Sequence, residues 1–260
     1  MLLVVDIGNT NITLGVFEKE NLLGTYRLTT SIKRTSDEYG FMISNFLNSI
    51  HLKTEDIEDV MIASVVPKIM HSFTNSIRRY LNLEPIVLNS DLETGIKIDF
   101  ENPSEVGADR IADAVGAHYN YQGDLLVVDF GTATTFELID AKGIYHGGCI
   151  CPGVEIMSQA LSKNTAKLPE IEIKPVDKVL TKNTINAMQA GIYYGYIGLV
   201  EKIISQFKKE TKLDLYVIAT GGLGRTLSEN THLFDVYDRE LTFKGLYLIY
   251  KMNKGKICKK

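Results

Sequence analysis

The sequence predicts an α/β protein with two related halves, each a mixed β-sheet with helices on its faces. One observation is a repeat: LLVVDIGNTN at residues 2–11 returns as LLVVDFGTAT at residues 125–134. Another is that segments typical of strands and helices follow each copy in a similar order. The length of 260 residues suits one large domain or two of about half that length. We expect two domains, at residues 1–118 and 119–260.

The first half predicts the element order β-β-β-α-β-α-β. The runs LLVVD, ITLGVFE and LLGTYRLTT are separated by turn signals and indicate a meander of three strands. Thr35 and Glu38 have the spacing of a capping box, and apolar residues at helical spacing follow from Tyr39 to Ile50. DVMIASVVP predicts a buried strand, residues 69–81 an amphipathic helix, and PIVLN a further strand.

The second half begins with the same theme. DLLVVDFG, TTFELIDA and GIYHGGCI indicate another meander, and VEIMSQALSKNTAKL predicts a helix. A long helix is predicted from about Thr184 to Lys208, then a strand at LYVIATGG and a helix near residues 241–252. Gly191, Gly195 and Gly198 would each cost this long helix about 1 kcal/mol unless they permit close packing.

Composition and charge exclude several classes of function. A net charge of -4 does not support binding to nucleic acid or to an anionic membrane. No apolar run approaches the roughly 18 residues that span a bilayer. The first residues lack a basic leader and reach Asp6 too early for a signal peptide. We therefore expect a cytoplasmic protein with no nucleic-acid or membrane partner.

The cysteines and histidines do not predict a metal or disulfide framework. Cys149, Cys151 and Cys258 contain no C-x-x-C pair, and the five histidines are scattered without ligand spacing. Cys149 and Cys151 lie in the Gly-rich stretch GGCICPG, where the small size of cysteine is a sufficient explanation.

The aspartates that close the two repeated strands are the first candidate site residues. Asp6 and Asp129 each end a short apolar run, and Gly8 or Gly131 follows two positions later. A carboxylate at the tip of a rigid strand, beside a glycine whose backbone can approach closely, suits a metal ion or a phosphate. The alternative is a duplicated core strand without a function of its own.

Six motifs together carry a family resemblance. They are DIGNTN (6–11), NPSEVGADR (102–110), DFGTATT (129–135), GGCICPG (147–153), NTINAMQAG (183–191) and ATGG (219–222). The chain resembles the acetate and sugar kinase, Hsp70 and actin superfamily, and within it the type III pantothenate kinases. DIGNTN alone is weakly specific, whereas GADR followed by DFGTATT and GGCICPG is specific in combination.

The resemblance implies two ribonuclease-H-like domains with the active site in the cleft between them. It implies a transferase that moves the γ-phosphate of ATP to the primary hydroxyl of pantothenate, which is the first step of coenzyme A synthesis. It further implies Mg²⁺ with ATP, a monovalent cation (K⁺ or NH₄⁺) and a homodimer. The glycines of the long helix could pack closely against the same helix of a second copy.

The resemblance also assigns roles to individual residues. Asp109 would be the base that accepts the hydroxyl proton, because phosphoryl transfer to an alcohol requires a carboxylate within hydrogen-bond reach. Asp6 would hold magnesium and Asp129 the monovalent cation. The implied ATP-binding residues are Asp6, Ile7, Gly8, Asn9, Thr10, Asn11, Ile12, Thr13 and Thr132, and the implied substrate-binding residues are Phe100, Gly107, Ala108, Asp109, Arg110 and Thr184.

Simpler explanations exist for several of these residues. Asp109 and Arg110 could be a helix-dipole aspartate and a surface arginine. Phe100 could be a core residue, and Thr184 could cap the long helix. Two other functions also remain open, a phosphatase or polyphosphate hydrolase of the same superfamily and a non-catalytic regulator.

Overall fold

The computed structural model describes residues 1–228 and 231–257 and contains two compact units. Unit 1 comprises Met1–Lys97, Glu101–Gly116 and the segment from Leu241 onward, and unit 2 comprises Ile98–Phe100 and Ala117–Glu240. This division passes close to the predicted boundary at residue 118. The segment from Leu241 onward, which is part of the predicted second domain, is instead grouped with unit 1. Cys258 lies outside the described residues.

Unit 1 is built on a five-stranded sheet with the order β3-β2-β1-β4-β5. The strands are β1 (Leu2–Ile7), β2 (Asn11–Glu18), β3 (Asn21–Thr29), β4 (Asp59–Ser64) and β5 (Ile86–Val87). β2 is antiparallel to both β1 and β3, whereas β4 is parallel to both β1 and β5. The predicted order of elements in this half is confirmed.

Helices cover both faces of this sheet. α1 (Ser36–Ser49) and α2 (Pro67–Leu81) cover the sheet face that carries the side chains of Leu3 and Val5. The predicted capping box starts α1: the Thr35 N–H donates to Glu38 Oε2 (2.7 Å), and the Glu38 N–H donates to Thr35 Oγ1 (3.3 Å). On the other face, Leu2 packs with residues of α3 (Ala108–Asn120) and α7 (Leu241–Ile257).

Unit 2 repeats this plan on a six-stranded sheet with the order β11-β10-β7-β8-β9-β6. The strands are β6 (Lys97–Ile98), β7 (Asp124–Phe130), β8 (Ala133–Ile139), β9 (Ile144–Pro152), β10 (Leu215–Thr220) and β11 (Val236–Tyr237). The antiparallel meander β7-β8-β9 corresponds to β1-β2-β3 of unit 1. The strand β10, which is parallel to β7, corresponds to β4, which is parallel to β1. The predicted internal duplication is therefore visible in the backbone.

The helices of unit 2 are α4 (Val154–Lys163), α5 (Thr184–Thr211) and α6 (Gly224–Ser228). The expectation that α4 extends to residue 168 is wrong. Asn164 caps the helix through its backbone N–H, and residues 165–183 form neither helix nor strand. Within the described residues, none of the helices is both long enough and apolar enough to cross a bilayer.

Candidate active site

Asp6 stands at the carboxyl end of β1, between β2 and β4. It is paired in register with Thr13 of β2 and with Ala63 of β4. Side chains alternate along a strand, so Asp6 shares a face with Leu2 and Val4, the face that α3 and α7 cover. The half-buried carboxylate therefore lies where this covered face meets the end of the sheet.

The turn after Asp6 is held by hydrogen bonds from two directions. The Gly8 N–H donates to the Asn11 carbonyl (2.9 Å), which closes the turn. Thr30, at the end of β3, donates its hydroxyl to the Gly8 carbonyl (2.7 Å) and its N–H to the Thr10 carbonyl (2.9 Å). Thr30 was not identified as a site residue because nothing in its local sequence marks it. The signal is its position at the end of the third strand of the meander.

The segment from Asp6 to Thr13 divides into exposed and buried members. Asn9 and Thr10 are exposed at the tip of the turn and can reach a ligand. Ile7 and Ile12 are fully buried in the core beneath α1 and α2. These two predicted ATP-binding residues can therefore contribute only through their backbone.

The start of α3 brings Asp109 to the same end of the sheet. Gly107 precedes the helix, and its carbonyl accepts the Ile111 N–H (3.0 Å). A Cβ at Gly107 would lie 3.4 Å from Val65 Cγ1, and the Val65 N–H donates to the Ile7 carbonyl at the end of β1 (3.1 Å). The structure therefore brings the predicted magnesium ligand and the predicted base to one edge of unit 1.

The environment of Asp109 suits a proton acceptor. Asp109 Oδ1 accepts the Arg110 N–H (2.8 Å), and a Cβ at Gly107 would lie only 2.5 Å from the same oxygen. Burial raises the pKa of the Asp109 carboxyl above its ordinary value, although the Arg110 N–H and guanidinium act in the opposite direction. A raised pKa makes the carboxylate a stronger base than an exposed aspartate.

α3 is fixed against α7 by two glycines and a partly buried hydrogen bond. A Cβ at Gly116 would lie 2.4 Å from the Leu241 carbonyl oxygen, and a Cβ at Gly245 would lie 1.8 Å from the Ala112 carbonyl oxygen. Between these contacts, the Thr242 hydroxyl donates to Asp113 Oδ1 (2.6 Å), and Asp113 is 3% exposed. This close crossing sets the position of the helix that carries Asp109.

In unit 2, Asp129 occupies the position that corresponds to Asp6. It is paired with Thr135 of β8 and with Thr220 of β10. Gly221 follows β10 with a φ of +86°, and a Cβ there would lie 2.3 Å from Asp129 Oδ1. Position 221 therefore requires a glycine, because the backbone has a positive φ and because a Cβ would collide with this carboxylate.

Thr132 is exposed in the turn between β7 and β8. Its carbonyl accepts the Gly153 N–H (3.1 Å), and a Cβ at Gly153 would lie 2.3 Å from that carbonyl oxygen. The last glycine of GGCICPG thus allows β9 to approach the turn closely.

The cysteines of the same motif are not activated. Burial raises the pKa of the Cys151 thiol to about 11 and also raises that of Cys149. Both thiols stay protonated at neutral pH, which agrees with a packing role. Beside them, Tyr196 and Thr134 share a buried hydrogen bond, and burial raises the pKa of Tyr196 to about 12.

Phe100 and Thr184 lie in different surroundings in unit 2. Phe100 is half-buried over Gly147, where a Cβ would lie 3.0 Å from Phe100 Cε2, and its ring centroid is 6.5 Å from that of Tyr145. Thr184 is exposed as the first residue of α5. The cap itself is Asn183, whose side chain accepts the Asn186 N–H (2.9 Å). Helix capping therefore does not explain why a threonine occupies position 184.

Comparison with known proteins decides the family. A family model described as type III pantothenate kinase matches residues 2–206. The chain belongs to the type III pantothenate kinase family. A type III pantothenate kinase from Agathobacter rectalis is 49% identical over 257 residues, which cover 98% of this chain and 99% of that protein.

Solved structures agree on the fold. A Campylobacter jejuni protein described as a Baf family transcriptional activator aligns with a TM-score of 0.58 at 21% identity, covering 97% of this chain and 99% of that one. A Porphyromonas gingivalis protein described as an N-acetylglucosamine kinase aligns with a TM-score of 0.50 at 15% identity, covering 98% and 100%. The chain thus has the expected fold of two ribonuclease-H-like domains, each a mixed sheet with flanking helices.

The donor set fits the magnesium of an ATP-dependent kinase. Across the described ranges 1–228 and 231–257, no three His, Cys, Asp or Glu side chains are grouped as metal ligands. Asp6 in unit 1 and Asp129 in unit 2 instead offer separate carboxylates beside glycine-containing turns. Mg²⁺ typically keeps several waters and takes one or two carboxylates plus the phosphates of its nucleotide. Hard oxygen donors of this kind suit Mg²⁺ and alkali cations rather than zinc.

Proposed function

We propose that this chain is a pantothenate kinase that transfers the γ-phosphate of ATP to the primary hydroxyl of pantothenate. The product, 4'-phosphopantothenate, begins coenzyme A synthesis. Family membership over nearly the whole chain supports the choice of substrates. The observation that carries the proposal is Asp109, a half-buried carboxylate of raised pKa at the same end of the sheet as Asp6.

Unit 1 would supply the base and the magnesium site. Asp109 would accept the proton of the pantothenate hydroxyl as the new P–O bond forms. Arg110 would hold the acceptor or donate to the transferring phosphoryl, because a guanidinium offers several donors in one plane. Asp6 would hold Mg²⁺, and the N–H groups and side chains of the following turn would donate to the phosphates.

Unit 2 would supply the monovalent cation and further contacts to both substrates. Asp129 would hold K⁺ or NH₄⁺, whose charge offsets that of the crowded phosphates. Thr132 would contact ATP, Phe100 would give pantothenate an apolar contact, and Thr184 would reach pantothenate. We expect this ATP-dependent enzyme to work in the cytoplasm.

A coupled assay for ADP formation tests the reaction. With Mg²⁺ in potassium buffer, ADP should form only when pantothenate is added, at a rate that saturates with pantothenate. Phosphate release at the same rate with and without pantothenate would instead support the hydrolase alternative. Failure to bind pantothenate by calorimetry in the presence of nucleotide would support the non-catalytic regulator.

We also propose a homodimer that uses the glycine face of α5. Gly191, Gly195 and Gly198 are exposed, and an added Cβ at any of them would meet no atom within 4 Å. Glycine is expensive inside a helix, and close packing against a second copy would explain its use here three times.

Substitution on this face tests the dimer. Gly195→Leu should improve helix propensity yet dissociate the dimer, whereas Lys209→Leu, an exposed control near the end of the same helix, should leave it intact. Light scattering after gel filtration would measure the mass. A monomeric wild-type protein, or a Gly195→Leu variant that stays dimeric, would contradict the proposal.

A further inference from the structure

Three side chains form a row across unit 1, beginning at Asp6. In the register of the sheet Asp6 is opposite Thr13, and Thr13 is opposite Arg27 of β3. Residues that face each other across antiparallel strands project to the same side. The order along the row is therefore carboxylate, hydroxyl and guanidinium.

Packing on the neighbouring residue confirms which side Arg27 occupies. The ring of Tyr26 stacks on Phe46 of α1, with centroids 5.4 Å apart. Because successive residues of a strand point to opposite faces, Arg27 points away from α1, to the face of Asp6. Two strand spacings, about 10 Å in all, separate the Cα atoms at the two ends of the row.

The guanidinium of Arg27 differs from the other arginines of unit 1 in its contacts. Arg78 and Arg79 form ion pairs with Glu84 (2.6 Å) and Asp37 (2.9 Å), and Arg34 donates to the Thr29 carbonyl (2.9 Å). Arg27 is exposed, and no hydrogen bond or ion pair to it is found in the described part of the chain. An arginine in this state can donate to an anion without first breaking a contact within the protein.

The corresponding row of unit 2 has no cation. There Asp129 is opposite Thr135, and Thr135 is opposite Ile150, which is 60% exposed. The aspartate and the threonine recur in both rows, and only the third position changes from an arginine to an apolar residue. The positive charge is thus specific to the row that contains the predicted magnesium ligand.

We propose that Arg27 binds the terminal phosphates of ATP, at the other end of the row from the magnesium held by Asp6. This inference rests on the proposed function, which brings a triphosphate to the turn after Asp6. Guanidinium and phosphate form paired, charge-assisted hydrogen bonds, which are stronger than neutral ones. Arg27 would therefore hold the polyphosphate from the side opposite the metal.

Nucleotide binding by three variants tests the role of Arg27. Calorimetry with Mg²⁺ would compare ATP, ADP and AMP on the wild-type protein, Arg27→Gln, Arg27→Lys and the control Arg79→Gln, which removes another exposed arginine. Arg27→Gln should weaken ATP binding about 10- to 100-fold, the usual effect of losing a hydrogen bond to a charged group. It should raise the KM for ATP and leave AMP binding and the KM for pantothenate unchanged. Arg27→Lys should recover part of the affinity.

The outcomes separate this inference from the proposed function. Arg27→Gln that binds ATP as tightly as Arg79→Gln, or loses ATP and AMP affinity equally, would overturn the role of Arg27. A wild-type protein that binds ATP but forms no ADP with pantothenate would overturn the proposed function. The binding data would still show whether Arg27 binds the terminal phosphates. A wild-type protein that binds no nucleotide would overturn both.

Discussion

The turns after Asp6 and Asp129 are built on one framework. Each aspartate ends a strand that has an antiparallel neighbour on one side and a parallel neighbour on the other. In each turn a backbone N–H at the end of the third strand, that of Thr30 or Gly153, donates to a carbonyl of the turn. The duplication has therefore kept the backbone arrangement that positions a carboxylate.

The two turns differ in the residues around that carboxylate. The residue that follows the parallel neighbour of the aspartate strand is Val65 after β4 in unit 1 and Gly221 after β10 in unit 2. Gly221 approaches Asp129 closely. At the end of the row, unit 1 has Arg27 and unit 2 has Ile150. Unit 1 thus has a guanidinium in the row of its predicted magnesium ligand, whereas unit 2 has a glycine backbone close to its carboxylate. The proposed magnesium and monovalent-cation sites would thus differ through changes at a few neighbouring positions of a duplicated scaffold.

Helices α3 and α7, which pack against each other in unit 1, differ at their second residues. Asp109 is the second residue of α3, and the second residue of α7 is Thr242. Thr242 donates its hydroxyl to Asp113 and so holds the helices together. We therefore expect α3, and not α7, to carry the base.

Removal of the proposed base should give the largest effect. Asp109→Asn should lower kcat roughly 10²- to 10⁴-fold with little change in ATP binding, because it loses only the proton acceptor. Steady-state kinetics and calorimetry would measure the two quantities. In the wild-type protein the acidic limb of the kcat profile should lie above the pKa of about 3.9 of an ordinary aspartate. Near-normal turnover of Asp109→Asn would exclude this residue as the base.

The raised pKa of Asp109 also predicts a gain in stability for the same variant. When burial raises a folded-state pKa, the group's contribution to stability is fully present below the unfolded pKa and is lost as pH rises through the folded one. At pH 7 the wild-type protein must keep a partly buried charge that asparagine lacks. Asp109→Asn should therefore unfold at a higher temperature than the wild type at pH 7, and this advantage should shrink in acid.

Exchange of cations would test whether the two aspartates differ in function. Asp6→Asn should lower kcat/KM for ATP roughly 10²-fold and raise the Mg²⁺ concentration needed for half-maximal rate, because a charged ligand is lost. Asp129→Asn should instead abolish the difference between potassium and sodium buffers. Rates measured over both cation series would show this. Identical responses of the two variants would refute the specialisation of the turns.

Much of this organisation follows from local sequence. The capping box of Thr35 and Glu38 and the apolar runs of the two meanders depend on neighbours along the chain, so their patterns suffice to predict them. The two-residue strands β6 and β11 were missed because such short pairings are decided by the adjoining strand. The row that contains Arg27 was missed as well. The row depends on which residues of β2 and β3 lie opposite each other. A β-bulge between Val16 and Phe17 changes this register within the same hairpin, so the pairing cannot be counted from the turn.

A smaller effect is expected for the glycine that distinguishes the turn of unit 2. Gly221→Ala must place a Cβ beside Asp129 at a positive φ, and should lower the free energy of unfolding by at least about 1 kcal/mol. It should also raise the K⁺ concentration needed for half-maximal rate. Val65→Ala, at the matching place in unit 1, should leave the K⁺ requirement unchanged. Urea denaturation and potassium titration would measure the two effects, and an unchanged K⁺ requirement in both variants would contradict the assignment of Asp129.

The smallest effect concerns Tyr196 at high pH. Its folded-state pKa of about 12 exceeds the unfolded value of about 10, so its contribution to stability is complete below pH 10 and is lost towards pH 12. Tyr196→Phe should remove this part of the alkaline loss of stability. Denaturation curves of both proteins between neutral and alkaline pH would measure it, and parallel curves would exclude the effect.

The position of α7 has a consequence for biosynthesis. Leu2 and Val4 lie in one apolar cluster with Phe243, Leu246 and Ile249. A ribosome releases chains from the amino end, so the meander of unit 1 emerges long before α7, which shares with α3 the covering of one of its faces. The part of that face beneath α7 must wait, exposed to water and to chaperones, until all of unit 2 has been translated. Unit 2 can therefore finish folding before unit 1, the reverse of their order in the gene.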